Sequence, residues 1–135
     1  MNTYNKTITT EIAIDLGAMW EITTGEYFSE CNYWVQRARF DTGNAHPWKR
    51  EEWTPEHKVA LIFENPTGEG WVRKWLTAED FAEARVKLAL KGWTHCGHYG
   101  ISLTMGDSGY FDSDDDACVT DAVVQYACFG EFVFG

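Results

Sequence analysis

The stretch that decides the fold is Lys58-Val59-Ala60-Leu61-Ile62-Phe63-Glu64, then Asn65-Pro66-Thr67-Gly68-Glu69, then Gly70-Trp71-Val72-Arg73-Lys74-Trp75-Leu76, then Thr77 and AEDFAEARVKLALK over 78–91. The first segment is a nearly continuous apolar run of strand length, the pattern of a central strand. Asn65-Pro66-Thr67-Gly68 is a turn signal. The segment 70–76 alternates and pairs with 58–64 as a hairpin. Thr77 is a good N-cap, with Asp80 three residues later in the first turn of a helix. Phe81, Ala84 and Leu88 mark one face of that helix, and Val86, Ala89 and Leu90 widen it. Lys87 and Lys91 suit its negative C-terminal end, and Gly92 is the expected residue just past it.

Upstream, residues 32–40 (NYWVQRARF) read as another strand. Trp34, Gln36, Ala38 and Phe40 form the more apolar set and are expected to face the core, which turns Arg37 and Arg39 to solvent. Residues 41–56 are a long polar connection broken by Gly43, Pro47 and Pro55. A first helix is predicted over 7–22, with Thr7, Thr9 and Thr10 as capping hydroxyls, Ile8, Ile12, Leu16, Met19 and Trp20 at helical spacing, and Thr24-Gly25 as the stop. Downstream, residues 93–111 carry Gly97, Gly100, Gly106 and Gly109 and read as loops around a short apolar piece from Tyr99 to Met105. A last helix is predicted over 115–128, with a stripe of Val119, Ala122, Val123, Tyr126 and Ala127. Gly130 ends it, and Glu131 to Phe134 read as a short terminal strand.

A chain of 135 residues suits one domain. The expected fold is therefore a single α+β domain over 1–135, with a small antiparallel sheet of three to four strands and about three packed helices.

The net charge is −10, from 11 Lys and Arg against 21 Asp and Glu. Affinity for nucleic acid rests largely on Lys and Arg, so a chain this acidic is not expected to bind nucleic acid directly. Anionic membrane surfaces are disfavoured for the same reason. The distribution is uneven. Residues 35–75 hold seven bases and six acids, whereas residues 92–135 hold no Lys or Arg and seven acids: Asp107, Asp112, Asp114, Asp115, Asp116, Asp121 and Glu131. Such a segment is either a solvated acidic face or an electronegative surface for a basic partner.

Cys31, Cys96, Cys118 and Cys128 contain no CxxC pair, which argues against a zinc ribbon or a thioredoxin-type motif. The start of the chain lacks a secretory pattern, and no apolar run is long enough to span a bilayer. The expected compartment is the cytoplasm, with the cysteines as free thiols and Cys118 and Cys128 packed in the last helix.

Three groups of residues could carry chemistry. His95-Cys96-Gly97-His98 offers imidazole and thiolate ligands for a metal, or a Cys–His pair. A structural zinc needs four ligands, though, and neighbouring residues rarely aim at one point. Asp112, Asp114 and Asp116 match the first three ligand positions of a calcium loop, but Ala117 and Val123 stand where glycine and glutamate are required. Trp48-Lys49-Arg50-Glu51-Glu52-Trp53 reads either as a hot spot for a protein partner or as a loop pinned by its own tryptophans. No phosphate-binding, nucleophile-elbow or metalloprotease signature is present, so no cofactor is expected and nothing asks for an enzyme.

The most distinctive segment is the ending, Asp121-Ala122-Val123-Val124-Gln125-Tyr126-Ala127-Cys128-Phe129-Gly130-Glu131-Phe132-Val133-Phe134-Gly135, preceded by the Asp-rich run from Asp112. This resembles the ending of a group of small proteins of tailed bacteriophages. Those proteins show an Asp-rich segment, an Ala-Asp-hydrophobic helix with a Gln, then Phe-Gly-Glu and a terminal aromatic-Gly. Thr120-Asp121 stands here where Ala-Asp is typical. The resemblance implies a phage-encoded accessory protein of the host cytoplasm and transfers no catalytic residue. Small acidic phage proteins of this kind look like inhibitors of host defence, such as anti-CRISPR proteins that occupy a nucleic-acid-binding groove. The expected partner is then a host protein, such as a nucleic-acid-binding defence complex, met by Asp107, Asp112, Asp114, Asp115 and Asp116, with Trp48 and Trp53 as further candidates. The alternatives are a small metal- or ligand-dependent enzyme using His95, Cys96 and His98, or a homo-oligomeric structural phage protein.

Overall fold

A computed structural model describes residues 13–95, 99–103 and 117–134 of the chain. The fold is α+β: a three-stranded antiparallel sheet carries three helices on one of its faces. Strands β1 (Arg37–Asp41), β2 (Lys58–Glu64) and β3 (Trp71–Leu76) lie in the order β1-β2-β3, so the apolar run is the central strand. The connection between β2 and β3 is built on Asn65, whose side-chain oxygen accepts from the Thr67 N–H and hydroxyl, both at 3.0 Å. Gly70 closes that turn at φ +92°, a backbone angle that suits glycine.

Helices α1 (Leu16–Thr24), α2 (Ala78–Leu90) and α3 (Ala117–Phe129) complete the main body. Helix α2 begins with a capping box: Thr77 Oγ1 accepts from the Asp80 N–H, and Asp80 Oδ2 accepts from the Thr77 N–H at 2.8 Å. It ends in a Schellman motif. Gly92 sits at φ +74°, its N–H bonds the Ala89 carbonyl, and the Trp93 N–H bonds the Leu88 carbonyl. A short hairpin follows, made of β4 (Thr94–His95) and β5 (Tyr99–Gly100).

Antiparallel register divides the sheet into two unlike faces. Ala38, Phe40, Val59, Leu61, Phe63, Val72 and Leu76 face inward. Trp20 of α1 and Phe28 pack on Phe40, while Trp34, Phe129 and Phe134 pack around Phe63. The opposite face holds Arg37, Arg39, Asp41, Lys58, Ala60, Ile62, Glu64, Trp71, Arg73 and Trp75.

Several expectations are corrected. The first helix begins at Leu16, because Asp15 caps it by accepting from the Ala18 N–H at 3.0 Å; the proposed capping threonines lie outside the described residues. It runs on to Thr24, and a 3-10 helix covers Gly25–Cys31. The strand predicted over 32–40 exists only from Arg37 to Asp41. Residues 32–34 turn, and both Trp34 and Val35 are buried whereas Gln36 is exposed. In α2 the buried stripe includes Arg85, four residues after Phe81, whose Nε donates to the Ser102 carbonyl at 2.9 Å; Leu90 is exposed instead. Residues 131–134 form no strand. Cys118 is exposed rather than packed, and no disulfide occurs among the described residues. No described helix is long and apolar enough to cross a membrane.

Candidate functional site

The distinctive ending is held by one buried side chain. Gln125 projects from α3 and is almost fully buried. Its Oε1 accepts from the N–H groups of Val133 and Phe134, both at 2.9 Å, and its Nε2 donates to the Phe134 carbonyl at 3.0 Å. A side-chain amide thus satisfies main-chain groups of Val133 and Phe134 that no strand pairs. Gly130, at φ +71°, turns the chain back toward it. The Phe134 ring then stacks on Trp34 at 5.0 Å, nearly parallel.

Asp121, one turn before Gln125, ties the segment after α1 to the same helix. Its Oδ1 accepts from the Trp34 indole N–H at 2.9 Å, and its Oδ2 accepts from the Tyr33 hydroxyl at 2.5 Å. Gln125 Nε2 also donates to the Tyr33 hydroxyl oxygen at 3.2 Å. Desolvation of the hydroxyl, and then the Asp121 carboxylate it donates to, push the Tyr33 phenol well above its ordinary range. Yet the residue is 56 % exposed. Its polar end is fixed while its ring stands in solvent.

Beside it, Asn32, Tyr33, Trp34, Val35, Gln36, Glu64, Trp71 and Phe134 line an open pocket of about 210 Å³. Trp71 is 59 % exposed and sits at the start of β3 on the outer sheet face. Along that strand follow Arg73 and Trp75, and across it Arg37 and Arg39, all exposed. The pocket therefore opens onto a face rich in arginine and tryptophan.

The thiols near this region are not set up as nucleophiles. Burial first, and then Asp121 and Glu30, raise the Cys31 thiol far above its ordinary range. Burial raises Cys128 to about 12 against a lowering pull from Lys74. A protonated, buried thiol is a poor attacking group at neutral pH. Among the described residues no cluster of His, Cys, Asp and Glu is placed to hold a metal ion.

The connection 41–56 is docked on α1. The Trp20 indole donates to the Pro47 carbonyl at 2.8 Å, the Arg50 N–H donates to Glu21, and the Arg50 guanidinium pairs with Asp15 at 3.1 Å. Trp48 is half-buried, edge-on to Tyr27 at 4.5 Å and to His46 at 4.6 Å. Trp53 is half-buried against the core, and its buried indole N–H has no hydrogen-bond partner among the described residues. His57 is also buried; its Nδ1 accepts from the Thr54 N–H, which leaves the proton on Nε2, and Nε2 likewise has no partner among the described residues. Burial lowers the His57 imidazole below its ordinary range, opposed by Asp41, Glu52 and Glu56.

Asp107, Asp112, Asp114, Asp115, Asp116, Cys96 and His98 lie outside the described residues. His95 lies in β4, paired in register with Tyr99. Trp48 and Trp53 share the docked connection, while the exposed aromatic side chains Tyr33, Trp71 and Trp75 form a group that the sequence reading did not single out. The signal for the last two was the alternation of Trp71, Arg73 and Trp75 on one side of β3. Comparison of the chain with protein-family models, curated proteins and solved structures finds no match to any of them.

Proposed function

We propose that the chain is a phage-encoded accessory protein that acts in the host cytoplasm by binding a host protein, and that Tyr33 and Trp71 form the centre of its contact surface. The observation that carries this reading is Tyr33, whose ring is exposed while its hydroxyl is held by Asp121 and Gln125. Exposed Trp and Tyr are the side chains that dominate protein interfaces. One that is already immobilised loses little rotamer freedom on binding. Asp121 and Gln125 belong to the phage-like ending, so the residues behind the resemblance and those behind the surface are the same.

The charge distribution supports a basic partner. With no Lys or Arg from residue 92 onward, Asp107, Asp112, Asp114, Asp115 and Asp116 would meet the Lys and Arg of a nucleic-acid-binding groove in place of phosphates. Inhibition of a defence nuclease, in the manner of an anti-CRISPR protein, is the activity that follows. The test is a pull-down from a bacterial lysate that contains defence complexes, with mass-spectrometric identification. The expected result is a nucleic-acid-binding protein that is retained by the wild type, released by added salt, and lost by Tyr33→Ala and by the triple change of Asp114, Asp115 and Asp116 to Asn. A partner retained equally by all three baits at any salt overturns the reading.

A further inference from the structure

The outer sheet face is a local exception to the acidity of the chain. In register, Arg37, Ile62 and Arg73 form one row, and Arg39, Ala60 and Trp75 the next. Lys58 lies diagonal to Trp75 with its ammonium 4.8 Å from the indole centroid. Asp41 and Glu64 are the acids of this face, and Asp41 is paired with Lys58 at 3.9 Å. Arg37, Arg39 and Arg73 are exposed, and none of their guanidinium groups makes an ion pair or a hydrogen bond among the described residues. Trp71 and Trp75 frame the same face, four residues apart on β3 and so about 13 Å apart along the strand.

We propose that this face binds single-stranded nucleic acid, with bases stacked on Trp75 and Trp71 and the backbone phosphates taken by Arg37, Arg39 and Arg73. The inference goes beyond protein binding at Tyr33: the two surfaces share Trp71 at their border, while Trp75 and the three arginines belong to this one alone. A flat strand surface that offers exposed indoles between guanidinium groups supplies both requirements of a stacking platform: an aromatic ring for any base and a cation for each phosphate. An acidic peptide would use the arginines but not the ring faces. The net charge of −10 weakens long-range attraction, so binding depends on these contacts at short range. With three to four cations engaged, the slope of log affinity against log salt is about −2 to −3.

The experiment titrates fluorescein-labelled oligothymidylate of 20 nucleotides into the full chain and follows both anisotropy and quenching of tryptophan emission. Binding is expected with tryptophan quenching, and affinity should fall about twenty- to fiftyfold between 50 and 200 mM salt. Trp75→Ala should weaken it by about fivefold or more. The double change Arg39→Gln with Arg73→Gln should reduce the salt slope by about 1.4, and it keeps the test available if the tryptophan variant does not fold. Tyr33→Ala should bind the oligonucleotide as the wild type does, so that a failure of this proposal and a failure of protein binding at Tyr33 are told apart. Absence of binding at 50 mM salt, indifference to both sets of changes, or equal competition by a polyglutamate peptide would overturn the proposal.

Discussion

The two faces of one sheet do different work with neighbouring residues of the same strands. Val59, Leu61 and Phe63 alternate with Lys58, Ala60, Ile62 and Glu64 along β2, and the pattern continues across β1 and β3. The inner set is buried under three helices and the terminal segment. The outer set carries arginines and two exposed tryptophans. Stability resides on the first face, since burial of a large apolar side chain is worth about 1.5–3 kcal/mol. Recognition is open only to the second, because a residue that is covered cannot meet a partner.

The sharpest way to break this division is to compare Phe63→Ala with Trp75→Ala. Phe63 is fully buried among the rings of Trp34, Phe129 and Phe134, so its truncation should cost about 3–5 kcal/mol in chemical denaturation. An effect below that of Trp75→Ala would erase the distinction. Gln125→Ala comes next. It strands the N–H groups of Val133 and Phe134 and the Phe134 carbonyl, at about 2–3 kcal/mol, and it should expose residues 131–134 to carboxypeptidase. Unchanged proteolysis would show that the stacking of Phe134 on Trp34 holds the segment alone.

A pH titration probes the inner side differently. The His57 imidazole is lowered when folded, so above its ordinary value near 6.5 both folded and unfolded chains hold it neutral and it adds no pH dependence. As pH falls below about 6.5 the unfolded chain takes up the proton first, and stability drops by up to about 1.4 kcal/mol per pH unit until the folded value is reached. His57→Gln should flatten this limb of a stability–pH curve; an unchanged slope would assign it to other groups. The smallest effect belongs to Trp75→Ala, at about 1 kcal/mol or less, since it removes an exposed ring and one Lys58 contact. A larger loss in thermal unfolding would mean that the outer face also holds the fold together.

The same comparison explains which parts of the molecule were legible in sequence. The hairpin and α2 are written in local terms: the apolar run of β2, Asn65-Pro66-Thr67-Gly68, Thr77 with Asp80, and Gly92 each act within a few residues. The turn at 32–34 is not local. Tyr33 and Trp34 alternate like strand residues, yet they are fixed by Asp121, far along the chain. The terminal Phe132-Val133-Phe134 also reads as a strand, because aromatic and β-branched letters carry that signal, but its partner is a glutamine side chain. Arg85 shows the converse, since its spacing from Phe81 places it on the buried face while its charge suggests solvent. Of the proposed contact surface, the alternation on β3 was visible in the letters. The fixing of Tyr33 was not, because it depends on a helix that arrives from the other end of the chain.

The proposed role of Tyr33 and Trp71 requires exposed aromatic side chains that bind a protein partner without contributing much to stability. The most direct measurement is a quantitative pull-down with wild type, Tyr33→Ala and Trp71→Ala as baits, each first checked for thermal unfolding. The expected result is one protein that is enriched by the wild type and lost by both variants, with Trp71→Ala unfolding close to the wild type. Identical protein sets on all three well-folded baits would contradict it.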